Sequence, residues 1–496
     1  MEGDPMADVL LSKAARSGRT GQRPFGTLGD KIEVDRYPEQ WQEKVSAVKE
    51  QLTRMVSRHV LDEARIFASL PKGSQHRAGP LALRRPCAAR RSEGIFLEFS
   101  MWDAHAKDHS LIYPLEVPFN SLLISAAMES MRTMPIMLDA ELGDKDDAEW
   151  ECIGTSEPSK SADWGKVIGH GLRSAQFHST LSGELMVCLA YYKEGLQCLK
   201  RGETLPDEDG ESFASSSSSK MWLAAAEDFK ALLHQGVAAA GVSGAVIDVV
   251  GRWKRRRLVL SRDFVKESLE LEDGRKLIYK QPEGQFSNPN PSCEIHCLNW
   301  LCQEAKEAGK TVRGRKSPAL LELHCGGGNN TVAMAPYFGE VTAVEINRQL
   351  AEAAEENLSM NQIKNTSVKR AASADMSAAA FAEYDVVMVD PPRVGLDADT
   401  RDLVAKFDQI LYISCNPLAL AHDLDCLGTG FEVVSLAIFD MFPYTSHAEC
   451  AARIRRRRAE VRVAFDWAPA LRRAMMLVLL AIGAFYGWWK KRTRRR

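Results

Sequence analysis

A chain of 496 residues, 45% hydrophobic and 26% charged, is long enough for two or three folded domains, and its composition excludes a disordered or fibrous protein. The formal net charge of −2 averages two unlike parts: from Arg453 onward fourteen Lys/Arg face two acids, which leaves residues 1–452 at −14. So acidic a body excludes nucleic-acid recognition by bulk charge, and an RNA partner would have to be held by local basic patches and a pocket for a base.

Eleven cysteines without a C-x-x-C pair or a secretory signal predict free thiols in a reducing, cytoplasmic setting. Cys293, Cys297 and Cys302 fall at helical spacing and read as one helix face, so no metal site is expected.

In chain order, residues 1–30 lack periodicity and read as a disordered leader. Apolar residues at three- and four-residue steps predict a helix over 38–67 and another over 119–134. Residues 94–102, 166–174 and 184–192 read as strands, completing an α+β region that extends to about residue 280. It is interrupted at 201–220 by an acidic, serine-rich stretch unable to bury a core. A helix over 221–235 follows, then strands at 245–250 and 257–260 around a basic turn, Arg252-Trp-Lys-Arg-Arg-Arg257. From Ser292 helices and strands alternate: helices at 294–308 and 349–357, strands at 319–325, 341–346, 367–371, 385–389, 410–414 and 432–438. That rhythm predicts right-handed crossovers and a doubly wound sheet.

Five strand ends carry chemistry. Leu320 to Asn329 runs from strand through a glycine turn (Gly326, Gly328) into a helix, and Glu345 ends the next strand nineteen residues after Gly326. Glycines admit a nucleoside close to the backbone, and an acid there can accept both ribose hydroxyls. Thr331 occupies the place of the third dinucleotide glycine, which favours S-adenosylmethionine over NAD. Asp390 is fixed before two prolines, and Cys415 ends the apolar run 409–414 before Asn416-Pro417, facing the crevice where such sheets bind ligands. His447 and Glu449 follow the strand 432–438.

Four motifs stand in one order: Glu322-Leu-His-Cys-Gly-Gly-Gly-Asn329, Val389-Asp-Pro-Pro-Arg-Val-Gly-Leu-Asp397, Ile410-Leu-Tyr-Ile-Ser-Cys-Asn-Pro417 and Asp440-Met-Phe-Pro-Tyr-Thr-Ser-His-Ala-Glu-Cys450. Together they resemble the RNA uracil-C5 methyltransferase family, in particular its bacterial-type tRNA branch, which forms ribothymidine in the T-loop. The likeness reaches upstream through Tyr279 to Asn290 and Gln176 to Ser182, covering roughly residues 90–452. It implies a Rossmann-like, S-adenosylmethionine-dependent α/β catalytic domain over 281–452, preceded by an α+β RNA-binding region over 31–280. It also implies a monomer acting on tRNA, with Cys415 as nucleophile and Glu449 as base. Asn288, His324, Gly326, Gly328, Asn329, Glu345 and Asp390 would hold the cofactor and the target base. The chain departs from the family's pattern at Asn288 and His324. After Cys450 the arginine-rich 451–458 replaces the expected apolar last strand, so the sheet is expected to lack its seventh strand. Three other readings stay open: methylation of an exocyclic amino group, suggested by Asp390-Pro-Pro; a tRNA-binding or tRNA-folding protein without catalysis; and action on another RNA, such as rRNA.

Residues 474–489 are apolar and uncharged between Arg472-Arg473 and Lys490-Lys-Arg492. They are read as a C-terminal membrane anchor.

Overall fold

The computed structural model describes residues 34–86, 88–103, 108–112, 117, 120–138, 164–191, 217–253, 256–310, 317–376, 383–457 and 467–493. The expected leader, most of the 201–220 stretch and Lys254-Arg255 of the basic turn lie outside them.

Helices α1 (Tyr37–Leu52) and α2 (Arg58–Asp62) precede strand β1 (Arg65–Phe67). The single helix expected over 38–67 is therefore split. Ser57 caps the second helix by accepting the Val60 N–H, and residues 65–67 are drawn into sheet pairing against Ala437–Phe439, which overrides their helical spacing. There follow β2 (Arg77–Arg84), α3 (Ala88–Ser92), β3 (Glu98–Asp103), β4 (Asp108–Ile112), α4 (Leu122–Thr133), α5 (Trp164–Gly169), β5 (Leu172–Ser179), β6 (Glu184–Tyr191), α6 (Ser217–Ala239), β7 (Val246–Trp253) and β8 (Arg256–Val259). These strands form a seven-stranded sheet in the order β4-β3-β2-β5-β6-β7-β8. The strand expected over 166–174 begins as helix. Gly165 and Gly169 bring α5 so close to the carbonyls of Pro135 and Met137 that an added Cβ would stand 2.0 and 2.1 Å from them. Helices α4 and α6 cover the sheet with Ile124, Met128, Met131, Trp222, Phe229 and Leu233, all buried.

The hairpin β9 (Phe264–Glu270) and β10 (Lys276–Pro282) leads into the catalytic half. This half comprises α7 (Pro291–Lys310), β11 (Ala319–Leu323), α8 (Asn329–Met334), β12 (Glu340–Glu345), α9 (Arg348–Met360), β13 (Thr366–Arg370), β14 (Val386–Val389), α10 (Ala398–Val404), β15 (Gln409–Ser414), α11 (Pro417–Leu427), β16 (Phe431–Phe439) and β17 (Glu449–Arg456). The sheet order is β1-β16-β17-β15-β14-β11-β12-β13. β11, β14 and β15 are buried at every position, as parallel strands covered on both faces must be. The expected doubly wound α/β architecture is present, with its strand order reversing between β11 and β14. Residues 37–67, grouped by sequence with the N-terminal region, instead pack on this large sheet.

The seventh strand, expected to be missing, is present as β17, antiparallel between β15 and β16. Cys450, Ala451, Ala452 and Ile454 are fully buried, small enough for the crowded sheet centre. The arginines leave the sheet to meet acids: Arg453 pairs with Glu304 at 2.6 Å, Arg455 with Glu432, and Arg456 with Asp408 at 2.8 Å. Arginine stems spread over apolar surface while their heads reach these partners, so an arginine-rich segment can serve as an inner strand.

Residues 457–496 form a separate unit containing α12 (Trp467–Thr493). Among the described residues no helix is long and apolar enough to cross a membrane, which removes the support for an anchor at 474–489. The uncharged run of sixteen residues spans only about 24 Å before charged residues resume.

Ala452 is fully buried opposite Tyr412 and Leu436. Ala452→Leu should destabilise the protein by about 1–3 kcal/mol in urea unfolding, because no space exists for the added methylenes. A change below about 0.5 kcal/mol would mean that β17 is not packed as an inner strand.

Candidate active site

The carboxyl ends of β11, β12, β14 and β15 bring the sequence-identified residues to one side of the sheet. After β11 the chain turns sharply. His324 adopts φ +59° and Gly326 +55°, and Gly328 (φ +80°) lies so close to Ala354 on α9 that a Cβ would approach it to 3.2 Å. A Cβ on Gly326 would meet nothing within 4 Å, so space stays open beside that glycine. Glu345, at the end of β12, accepts the Gly326 N–H at 3.0 Å and the Asn347 N–H at 2.7 Å, which fixes its carboxylate against the turn. The His324 ring meets Ser373 Oγ at 3.2 Å, and burial lowers its pKa, favouring a neutral imidazole.

Asn288 and Asn329 converge on one buried carboxylate. Asn329 donates its amide to Glu294 Oε1 at 2.6 Å, and Asn288 bonds the same carboxylate. Glu294, which no sequence motif singles out, is therefore the hub that ties the 279–290 segment and the glycine helix to α7. Its one signal in the sequence is its phase: with Cys297, Leu298 and Leu301 it falls on the apolar stripe of α7, and all four side chains are buried. Burial pushes its pKa up to about 7. Glu322, fully buried in β11 beside Thr331, is pushed up to about 8 by the same cause.

Asp390 follows β14 and accepts the Asn330 amide at 3.2 Å. Cys415 stands between β15 and α11, at the helix N-terminus that Asn416 caps. Ser414 Oγ both accepts the Asn416 N–H and donates to the Asn416 carbonyl, closing the turn that ends the strand. Asn416 Nδ2 donates to the Arg393 carbonyl at 3.0 Å, binding the Asp390-Pro-Pro-Arg393 loop to the thiol's turn. Ser414 pairs with Cys450, and one step beyond this last pair of the antiparallel ladder stand Cys415 and Glu449. The strand register thus sets thiol and carboxylate side by side. His447 stays at the surface, its ring against the Arg393 guanidinium.

Desolvation, then the negative charges of Asp390 and Glu294, hold Glu449 well above the usual carboxylate range. Desolvation, opposed by the Asn330 amide, also raises Asp390. Burial first, then Glu449 and Asp390, push the Cys415 thiol up to about 11, while Arg393 pulls the other way. The site is thus a half-buried thiol beside crowded carboxylates, a field that favours a bound cation and holds protons on its acids. Among the described residues no group of His, Cys, Asp and Glu could hold a metal ion.

Comparison with known proteins agrees with this geometry. Residues 219–457 match the family model described as tRNA (Uracil-5-)-methyltransferase. The tRNA/tmRNA (uracil-C(5))-methyltransferase of Azoarcus sp. is 32% identical over 426 residues, covering 82% of this chain and 96% of that one. The protein of the same name from Shewanella amazonensis is 35% identical over 307 residues, 59% of this chain and 73% of its own. The crystal structure of Pyrococcus abyssi tRNA (uracil-54, C5)-methyltransferase in complex with S-adenosyl-L-homocysteine superposes with a TM-score of 0.53, covering 84% of this chain and 83% of that one. At 18% identity that likeness speaks for the fold alone. With nearly the whole of the Azoarcus relative aligned to a chain that sets Cys415 and Glu449 together at the ends of paired strands, the protein belongs to the tRNA (uracil-5-)-methyltransferase family.

Proposed function

We propose that the chain methylates C5 of the T-loop uridine at position 54 of tRNA, with S-adenosylmethionine as methyl donor, Cys415 as nucleophile and Glu449 as base. The observation that carries this reading is the placement of Cys415 and Glu449 one step beyond the Ser414–Cys450 pair, within reach of the Asp390 charge. The relatives' names mention tmRNA beside tRNA, and a T-arm-like stem-loop is the substrate class we assign.

The residues present fit the cofactor. Glu345 is held by two backbone N–H groups on the glycine turn and keeps lone pairs for ribose hydroxyls, and the space beside Gly326 is open. Buried carboxylates suit a sulfonium cation better than a neutral ligand. Asn288, His324, Gly326, Gly328, Asn329, Glu345 and Asp390 are the residues we assign to this pocket and to the target base. When bound, S-adenosylmethionine supplies an electrophilic methyl group.

Uracil C5 is too weak a nucleophile to take that methyl unaided. The Cys415 thiolate adds to C6, and the C5=C6 electron pair moves onto C5 and the O4 carbonyl. Arg393 and the N-terminus of α11 oppose the carboxylates that disfavour this thiolate. Desolvation favours the neutral acid form of Asp390, which can donate a hydrogen bond to a uracil carbonyl as charge collects there. After C5 has taken the methyl, Glu449 removes the C5 proton. The freed pair re-forms C5=C6, and the C6–S bond breaks to return the thiolate. The target base must first leave its stack, at a cost of a few kcal/mol.

With 5-fluorouracil-substituted tRNA and S-adenosylmethionine, the purified protein should form a complex stable in denaturing gels, because fluorine at C5 cannot leave as a proton. Cys415→Ala should form none and should lose at least about 10³-fold in kcat. Absence of the band with an intact Cys415 would overturn the covalent route. Mapping the product on tRNA should place the methyl at the T-loop uridine, and methylation undiminished in a tRNA carrying cytidine there would refute the assigned position.

Glu449 accepts a proton only when ionised, and its pKa is raised, so kcat/KM should climb as pH rises through neutrality. An ordinary carboxylate would add nothing to the rise above about pH 5.5, where only formation of the Cys415 thiolate would remain. A flat profile from about pH 5.5 to 8 rules out Glu449 as the base.

A further inference from the structure

The chemistry above leaves unused a buried ion pair behind the site. Residues 440–448 connect β16 to β17 and end at Glu449. Asp440 is fully buried, and Lys44, reaching it from α1, is 5% exposed. Lys44 Nζ donates to Asp440 Oδ1, to the Phe442 carbonyl at 3.0 Å and to the His447 carbonyl at 3.1 Å. All three ammonium hydrogens are therefore spent on one loop, at its beginning, near its middle and two residues before Glu449. The Tyr37 hydroxyl donates to Asp440 Oδ2 at 2.6 Å and accepts the Ser69 N–H at 2.7 Å. Asn290 donates to the Asp440 carbonyl at 3.3 Å and to Ser69 Oγ at 2.8 Å. Gln75 holds the Met441 carbonyl, and Tyr444, at φ +60°, donates to the Pro71 carbonyl at 2.6 Å.

Attachment of α1 alone does not call for this arrangement, since an apolar pair of equal volume often serves as well as a buried ion pair. Two of the three Lys44 contacts are to loop carbonyls, and a hydrophobic replacement could not make them. A strained residue within the same loop, Tyr444, shows the surroundings imposing the conformation.

We propose that Lys44 is a positioning residue for proton removal from C5: by clamping the carbonyls of Phe442 and His447 it fixes the 440–448 loop so that Glu449 stands beside Cys415, without itself touching substrate. The proposal rests on the assignment of Glu449 as the base.

Lys44→Met leaves Asp440 buried without its cation and can fail to fold, so the decisive variant is Lys44→Met combined with Asp440→Asn in the full-length protein. It neutralises both groups yet leaves the two carbonyls without their donor. We expect its KM for tRNA to stay within about threefold of wild type and its kcat to fall on the order of 10–100-fold. On ordinary tRNA a methylated covalent complex should accumulate, since the C6–S bond is made and only proton removal is slow. Asp440→Asn alone removes the counter-charge but leaves Lys44 Nζ to donate to both carbonyls; in protein whose urea unfolding matches wild type, it should lose less kcat than the double variant. Wild-type kcat in the double variant, or a lowered kcat without the accumulated complex, overturns the proposal. So does an equal loss in Asp440→Asn protein whose urea unfolding matches wild type. Glu449→Gln separates the two claims. If it accumulates the complex and the double variant does not, only the role of Lys44 falls; if it turns over normally without a complex, the base assignment falls and the Lys44 proposal with it.

Discussion

The site depends on one antiparallel ladder inserted into an otherwise parallel core. β17 runs between β15 and β16, so residues far apart in sequence, Cys415 leaving one strand and Glu449 entering the next, meet at the same edge of the sheet. A parallel β17 would place Glu449 at the opposite end, and a register slip of one residue would turn its side chain to the other face. Register here is pinned by burial of Cys450, Ala451, Ala452 and Ile454, and by arginines that pair with acids on α7, on β16 and at Asp408. Geometry at the thiol is thus set by packing some distance from it.

The second constraint is electrostatic. Glu294, Asp390 and Glu449 feel one another's charge, Glu322 feels that of Asp390, and Asp390 and Glu449 act on Cys415; each acid is held above its usual pKa chiefly by loss of water. Such crowding penalises the ionised, empty protein and lessens the penalty when a cation enters. The same field raises the thiol, so nucleophile activation falls to the few groups that act the other way, Arg393 and the N-terminus of α11. The protein accepts an unfavourable thiol in exchange for an acid strong enough as a base to take a proton from carbon.

Much of this is legible in the residues. Largely apolar runs at 319–323, 386–389 and 409–414 identify the inner parallel strands, and the residues that end them, with Glu345 at the end of 340–345, identify the site. What escapes are features fixed by tertiary partners. Arginines at 453, 455 and 456 look incompatible with an inner strand because their acidic partners lie 149, 23 and 48 residues away. Residues 65–67 look helical until β16 offers an unpaired edge. Glu294 is hidden in a regular amphipathic pattern, where an acid on the apolar stripe reads as noise unless one asks what it bonds. Asn288 and Asn329, assigned to the cofactor pocket from motif order, both bond that glutamate, a connection no spacing rule encodes.

Pairing of β1 with β16 also bears on how the chain comes together. Arg65–Phe67 finds its partner only at Ala437–Phe439, and Lys44 only at Asp440 and the loop behind it. During synthesis α1 and β1 emerge before the strands they complete, by roughly 20–70 s at ordinary elongation rates. The N-terminal sheet can close in that interval, but the catalytic sheet cannot, because its edge strand and the lysine that stakes the 440–448 loop both wait for partners made much later. Assembly of the methyltransferase half is therefore a late clasping step, in which an early segment folds back to lock a later one.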